Sequence, residues 1–245
     1  DRKMIVEQVL RSGEEPATGY VPAGFSLSDG SSFRELDEYG RVVPEHGIDP
    51  WNVQIEEAKE YLEKAGYPNG EGFPEIELLY NVNENDKKIA EAVQEMWKKN
   101  LGINVKLRNE EWSVFTSTRY QGEFTVCRGG WGGDYNDPMT MFDLFTSYGI
   151  NYSQWRWQPF ADRESDTILN PANKDYEDAL KAAMSTTGKE RDEHLKRAEK
   201  ILMEDAIMAP LYYYANTYII DGAKVEGIER GPMGYWLMKN AKLVN

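Results

Sequence analysis

The sequence predicts an α/β fold in which a mostly parallel sheet is flanked by helices and connected by long irregular loops. The first observation is the order strand, helix, strand over residues 75–109, because short connections in such a unit imply parallel strands and a right-handed crossover. The second is another strand-like stretch at 124–131, which follows a short helix. The third is the segment 14–50, rich in Pro, Gly and Ser and almost without hydrophobic periodicity. A loop of that length is usually functional or packed across a surface.

The composition excludes several classes of protein. The chain has 245 residues, 40% hydrophobic and 29% charged, which is typical of a globular protein with a sizeable core. Its net charge of −14 argues against nucleic-acid binding, which requires a basic surface. One cysteine, Cys127, allows no internal disulfide, and the two histidines, His46 and His194, stand far apart. We therefore predict no metal and no cofactor, with His46 at the surface.

The chain opens with a predicted helix. Residues 1–10, DRKMIVEQVL, place apolar side chains on one helical face, with Asp1 as the N-cap and Gly13 as the end. No signal peptide precedes them, which fits a cytosolic protein, a mature protein or a fragment. A helix at the first residue leads us to expect more chain upstream. A second amphipathic helix is predicted at 54–65, ending at Gly66.

The strand–helix–strand unit comes next. Residues 75–82, EIELLYNV, read as a strand, and residues 85–100 read as a helix with Asn85 as its N-cap. Residues 103–109 form the second strand. A short helix at 112–122 then leads to the strand at 124–131.

The remaining elements are mainly helical. Asp137 is predicted to cap a helix that has Pro138 in its first position, and two long helices are predicted at about 173–185 and 188–205.

Three segments frame those helices. The segment 150–172 is irregular and aromatic. Residues 209–221 are predicted to form one strand, or two strands broken at Asn216. The tail, residues 224–245, has a mixed pattern.

The stretch RGGWGGDYNDP, residues 128–138, has the composition of a binding site. Glycine is needed where the backbone conformation is unusual or where another body approaches closely, so four glycines would leave Trp131 as the bulky group in a shallow depression. Asp134 at its rim would need a cationic partner, and an incoming ammonium group would supply one. The alternative is an ordinary Gly-rich turn in which Asp134 caps the turn and Trp131 packs in the core.

Several stretches in the same order resemble the oligopeptide-binding family (family 5) of ABC-transporter solute-binding proteins. The motif RGGWGGDYNDP resembles the signature of that family. Agreement extends over DRKMIVEQVL with EEPA, EEAKEYLEKAGYPNGEGFPEIELLYN, IAEAVQEMWKKNLGINVKLRNEEW, NKDYEDALKAA and APLYYYANTYII. The resemblance covers essentially the whole chain, and it departs from the family pattern at 150–172, where the segment is longer and more aromatic.

The resemblance implies an architecture and a setting. Family members are roughly twice this length, so residues 1–245 resemble the second, C-terminal lobe of a two-lobed periplasmic-binding-protein-like fold, without the N-terminal lobe. Residues 224–245 would be a segment returning toward that missing lobe. The protein would be extracytoplasmic, in a periplasm or as a lipoprotein anchored at the cell surface, and would deliver a peptide to the membrane permease subunits of an ABC transporter. This is ligand capture without chemistry, so no enzyme activity is expected.

The resemblance also implies ligand contacts. Asp134 would pair with the α-amino group of a peptide, and Arg128 would meet the ligand carboxylate in some members. Trp131 would line the pocket. The other site residues expected on this ground are Tyr135, Gly130, Gly132, Glu111, Trp112 and Arg119.

Two alternatives remain open. The same fold could bind an oligosaccharide or another solute, with Trp112, Trp131, Trp155 and Trp157 stacking on sugar rings. A glycoside hydrolase would use paired acids such as Asp134 and Asp137, but Asp137 is better explained as a helix cap.

Overall fold

The computed structural model describes residues 1–149, 171–231 and 234–244. The helices are α1 Arg2–Met4, continued by a π-helical turn Ile5–Leu10, α2 Ile55–Lys64, α3 Glu84–Leu101, α4 Trp112–Gln121, α5 Met139–Phe142, α6 Pro171–Ser185 and α7 Gly188–Glu204. The strands are β1 Glu15–Pro16, β2 Ile76–Asn81, β3 Val105–Glu110, β4 Val126–Cys127, β5 Tyr212–Tyr213, β6 Val225–Glu226, β7 Glu229–Arg230, β8 Trp236–Leu237 and β9 Lys242–Leu243. Short 3₁₀ turns occupy Pro68–Gly70 and Asp143–Phe145.

The central sheet confirms the predicted strand–helix–strand unit. β2 lies between β3 and β4 and is parallel to both. The predicted cap of α3 was displaced by two residues, because Asn83 accepts hydrogen bonds from the backbone N–H groups of Asn85 and Asp86. The consequence for function is that the start of α3 lies at the carboxyl edge of this sheet, where ligands bind in open α/β folds.

The remaining strands are short and antiparallel. The predicted strand 124–131 is reduced to β4, and the predicted strand 209–221 is reduced to β5, which pairs with β1 inside the predicted loop 14–50. In the tail, β6 pairs with β9 and β7 pairs with β8. The predicted parallel arrangement of strands is therefore found in the three-stranded sheet.

The first helix is capped as predicted and ends earlier than predicted. The carboxylate of Asp1 accepts a hydrogen bond from the backbone N–H of Met4, 2.8 Å away. The helix ends at Arg11, which is left-handed with φ of 60°, and the Arg11 N–H donates to the Val6 carbonyl at 2.9 Å. The end predicted at Gly13 was wrong because this turn widens to π spacing. Within the described ranges, no helix combines the length and apolar composition needed to cross a membrane.

The described residues form two hydrophobic cores. The sheet core packs α2 and α3 against the central sheet and contains Ile5, Leu62, Leu78, Tyr80, Ile89, Ala90, Val93, Ile103 and Val105. The helical core packs α5, α6 and α7 against part of the long loop (residues 14–50). It contains Val21, Phe25, Phe33, Met139, Met141, Phe142, Leu144, Phe145, Tyr176, Ala179, Leu180, Ala183, Leu195, Ala198 and Leu202.

The long loop is fixed to α7 by a buried carboxylate. Glu199 is fully buried and accepts hydrogen bonds from the backbone N–H groups of Tyr20 and Val21 at 2.9 and 2.8 Å. It also forms an ion pair with the fully buried Arg34 and lies 3.0 Å from Nε2 of His46. The surface position predicted for His46 was wrong, since its side chain is only 13% exposed. An unpaired buried charge is costly, so these partners have to be present together.

Arg34 leaves no space for a side chain beside it. A Cβ atom added to Gly19 would lie 2.4 Å from Nη2 and 2.7 Å from Cζ of Arg34. Arg34 cannot move aside freely, because its guanidinium also donates to the Val21 carbonyl and pairs with Glu45. Glycine at position 19 is thus a requirement of the buried ion pair.

We predict that Glu199→Gln lowers the free energy of unfolding by about 3–5 kcal/mol, because it leaves Arg34 buried without its main counter-charge. The matched control is Glu193→Gln on the same helix, where the exposed carboxylate lies 3.9 Å from Lys189. The control should change stability by at most about 0.5 kcal/mol. Urea unfolding followed by circular dichroism measures both. Equal effects of the two substitutions would contradict the anchoring role of Glu199.

The same carboxylate makes stability depend on acid pH. Burial by itself would raise the pKa of Glu199, but the hydrogen bond with His46 and the charge of Arg34 outweigh burial and lower it. A carboxyl group with a lowered folded-state pKa contributes stability above its unfolded pKa, about 4.3, and that contribution is lost as pH falls through the folded value. We predict that unfolding free energy falls more steeply below about pH 4 in the wild type than in Glu199→Gln. Parallel slopes in acid titrations monitored by unfolding would disagree with this assignment.

We also predict that Gly19→Ala destabilises the protein by about 1–3 kcal/mol through overpacking against Arg34. Gly222→Ala is the control, because a Cβ there meets no atom within 4 Å. That substitution should leave the thermal midpoint unchanged or raise it slightly. An unchanged midpoint for Gly19→Ala would show that Arg34 can move.

Candidate functional site

The motif 128–138 begins where β4 ends. The backbone N–H of Arg128 donates to the carbonyl of Leu79 on β2, at 2.8 Å, and the chain then leaves the sheet toward α5. The motif thus passes the carboxyl edge of the sheet, close to the start of α3. This is the placement that the order of strand, motif and helix predicted.

A cavity of about 1590 Å³ opens beside the motif, between the sheet core and the helical core. Its wall includes Tyr80 and Asp86 from the sheet side, Tyr20 from the long loop and Tyr214 from the segment after β5. Aromatic bodies with polar tips and a few charged groups are the usual lining of a ligand site. Of the sequence-predicted residues, the cavity brings together Arg119, Arg128, Gly130, Trp131 and Gly132.

Trp131 combines the two roles that the sequence left open. Its ring is half-buried and packs against the helical core, and it also lines the cavity. The indole Nε1 is buried and has no hydrogen-bond partner among the described residues. Trp131 thus forms part of the cavity wall and of the helical core.

Asp134 points to solvent. Its backbone N–H donates to the hydroxyl of Thr140 at 2.9 Å, which fixes the main chain. The residue is exposed, and across the described ranges its carboxylate forms no hydrogen bond or ion pair. It lies outside the described lining of the cavity. An unpaired acid near a cavity is available to a cation.

The rest of the motif is tied to the protein. The hydroxyl of Tyr135 donates to Asp143 at 2.9 Å, and burial together with this hydrogen bond raises the pKa of Tyr135. The carboxylate of Asp137 accepts from the Met139 N–H at 2.9 Å and from Arg191 at 2.7 Å. The helix begins one residue later than predicted, at Met139. Tyr135 and Asp137 therefore stabilise the loop that carries Asp134.

Arg128 is already paired. Its Nε lies 3.2 Å from the carboxylate of Asp86, which is only 8% exposed, and its Nη2 donates to the hydroxyl of Tyr214 at 2.8 Å. A Cβ on Gly130 would come within 2.7 Å of the same hydroxyl, whereas one on Gly132 would meet no atom within 4 Å. Gly130 thus leaves room for Tyr214, whereas Gly132 borders open space.

The three remaining candidates lie on or beside α4. Arg119, in its last turn, is half-buried over the ring of Phe115 at 5.3 Å, and burial lowers the pKa of its guanidinium. Glu111 and Trp112 are exposed at the start of the helix and are not part of the described cavity wall. Only Arg119 of this group joins the site.

Two residues of the site, Asp86 and Tyr214, were not among the site residues expected from the sequence. Both lie in predicted elements, but no sequence pattern at the start of a helix or at the end of a strand indicates which distant residue the side chain will contact. A usable signal for Asp86 exists: parallel strands end at one edge of the sheet, so the residues after β2 and after β4 meet there.

The alternatives lose support from this geometry. Of the tryptophans considered for sugar stacking, Trp131 lines the cavity and Trp112 does not, while Trp155 and Trp157 lie outside the described residues. Asp137 is engaged with Arg191, so it is not a free partner for Asp134. Burial raises the pKa of Cys127 to about 12, which keeps this thiol protonated.

Residues 1–153 match the family described as bacterial extracellular solute-binding proteins, family 5 Middle. The chain belongs to this family of solute-binding proteins. It is 39% identical over 226 residues to the periplasmic murein peptide-binding protein MppA of Escherichia coli, which covers 90% of the chain and 36% of that relative. It is 31% identical over 249 residues to the oligopeptide-binding protein OppA of Bacillus subtilis, covering 98% of the chain and 40% of that relative.

Solved structures confirm the predicted fold. A periplasmic oligopeptide-binding protein of Borrelia burgdorferi superposes with a TM-score of 0.74 at 30% identity, covering all of this chain and 43% of that one. OppA of Haemophilus influenzae, solved in complex with RPPGFSPFR, gives a TM-score of 0.71 at 28% identity, with the same coverage. The chain thus spans about two fifths of the length of the curated relatives named above.

Proposed function

We propose that this chain takes part in capturing oligopeptides for import by an ABC transporter. The observation that carries the proposal is the exposed, unpaired carboxylate of Asp134, carried by a braced loop next to the cavity wall of Trp131. Relatives named for binding murein peptides, oligopeptides and dipeptides support the same ligand class.

The proposed contacts begin at the amino end of the peptide. Asp134 binds the α-amino group in a charge-assisted hydrogen bond, which is stronger than a neutral one. The ligand backbone runs along β4, the edge strand of the three-stranded sheet among the described residues, and pairs with it as an added strand. Trp131 and Gly132 contact the following residues of the peptide, and Arg119 forms a further part of the cavity wall. Tyr135 stabilises the loop that carries Asp134. Glu111 and Trp112, exposed at the start of α4 and outside the described cavity wall, make no contact in this proposal.

The proposed architecture extends beyond this chain. Residues 1–245 form one lobe, a second lobe supplies the opposite wall, and closure of the two buries the ligand. The tail 224–245 returns toward the other lobe. Its exposed apolar side chains fit such a contact: Leu237, Met238, Leu243 and Val244. The loaded protein meets permease subunits outside the cytoplasm, in a periplasm or as a surface lipoprotein, and it carries out no catalysis.

We predict that Asp134→Asn weakens binding of peptides with a free amino group by about 10- to 100-fold, the value of one charge-assisted hydrogen bond. The two-lobed protein is first loaded from an equimolar mixture of random tri- to hexapeptides. A recovered peptide and its N-acetylated twin are then titrated by calorimetry. The acetylated twin should bind the wild type and Asp134→Asn equally.

The control for this cycle is Asp175→Asn. Asp175 is an exposed acid on α6 outside the described cavity wall, so its loss changes net charge alone. Its affinity for both peptides should match that of the wild type. If Asp134→Asn keeps wild-type affinity for the free peptide, Asp134 is not the amino-group anchor.

We further predict that residues 1–245 by themselves bind the recovered peptide with a dissociation constant weaker than about 1 μM, because the opposing wall that excludes water is absent. Calorimetry on the folded lone chain tests this. Affinity equal to that of the two-lobed protein would contradict a cleft shared between lobes.

A further inference from the structure

We propose that Asp86 prevents Arg128 from binding a ligand carboxylate, so that the cleft takes peptides whose carboxyl end is not bound at Arg128. This inference rests on the proposed function and specifies its ligand class. It assigns Arg128 a different contact from the one that the family resemblance implied.

The guanidinium of Arg128 already has partners inside the protein. A carboxylate is bound most strongly by two parallel N–H groups of an arginine. The side-on pair of Arg128 consists of Nε and Nη2. Nε lies 3.2 Å from the Asp86 carboxylate in an ion pair, and Nη2 donates a hydrogen bond to the Tyr214 hydroxyl at 2.8 Å. Both nitrogens of this pair are thus already engaged inside the protein.

The negative charge of Asp86 also disfavours a ligand carboxylate at Arg128. The Asp86 carboxylate is 8% exposed and borders the same cavity as Arg128. Its negative charge balances that of Arg128, and a second carboxylate at the guanidinium would be repelled by it in a poorly solvated place. The N-terminal turn of α3 and the Asn83 side chain, which accepts from the Asp86 N–H at 3.2 Å, fix Asp86 in this position.

The remaining donors define what Arg128 can bind. Arginine has five N–H groups, and Nη1 of Arg128 has no hydrogen-bond partner within the described ranges. A neutral backbone carbonyl of a peptide can accept from Nη1 without repulsion by Asp86. Arg128 therefore contacts a neutral backbone carbonyl of the peptide, and the ligand is recognised at its amino end.

Arg119 is a nearby cation, and its effect on ligand carboxylates has to be distinguished from that of Arg128. The charges of the two arginines act on each other, and both line the cavity. A test that only removed carboxylates from ligands would not tell them apart. Substitutions at Asp86 and Arg128 do so, because Arg119 is unchanged in both.

The experiment uses random tri- to hexapeptides with free amino ends, synthesised as C-terminal acids and as C-terminal amides and mixed in equal amounts. The two-lobed protein is loaded, washed and extracted, and the acid-to-amide ratio of bound peptides is measured by mass spectrometry. In the wild type we expect a ratio within about threefold of one. In Asp86→Asn, which keeps the shape and frees the guanidinium, we expect the ratio to rise about tenfold or more.

Two further variants sharpen the result. Glu84→Gln removes one exposed charge from the same helical turn and should keep the wild-type ratio. Adding Arg128→Gln to Asp86→Asn should abolish the rise. Thermal unfolding confirms that each variant is folded.

Three outcomes would overturn the inference. The first is a wild-type preference for acids of about tenfold or more that Arg128→Gln removes. The second is an unchanged ratio in folded Asp86→Asn. The third is a folded wild type that recovers no peptide of either kind, which overturns the proposed function as well; the first two leave that function intact.

Discussion

The buried carboxylate of Glu199 connects three parts of the chain, and the candidate site depends on that connection. It binds two backbone N–H groups of the long loop, the guanidinium of Arg34 and the ring of His46. A loop without regular structure cannot satisfy its own backbone groups, so it needs such external partners to keep one conformation. Because Tyr20 lies in this loop and lines the cavity, the ion pair positions one wall of the site.

A second ion pair sets the charge of another part of the cavity wall. Asp86 from the start of α3 meets Arg128 from the end of β4, and the Tyr214 hydroxyl completes the group. Asp86 in the cavity wall is thus paired with an arginine, whereas Asp134, beside that wall, forms no ion pair among the described residues. A polar ligand with a positive end matches this distribution better than an anion does. The two acids differ in their partners, which is why residue type by itself did not assign their roles.

Much of the architecture was predictable because it depends on local patterns. The periods of apolar residues located α2, α3, α6 and α7, and the strand–helix–strand order established the parallel sheet. The predictions failed where backbone pairing depends on distant segments. Residues 209–221 have strand-forming side chains, but only Tyr212–Tyr213 find a partner, in the long loop. The position of His46 was missed for the same reason, since its neighbour Glu199 is 153 residues away.

The sequence by itself determined the fold class and the place of the motif after a strand, because glycines, capping residues and hydrophobic periods act over a few positions. Composition and spacing left an ordinary turn open for the motif, and only its resemblance to a known family singled out Asp134 and Trp131. Only the tertiary structure decided that Arg128 is paired, that Gly130 makes room for Tyr214, and that Glu111 and Trp112 lie away from the cavity. These facts depend on contacts between segments far apart in the chain, whose distances no local pattern encodes.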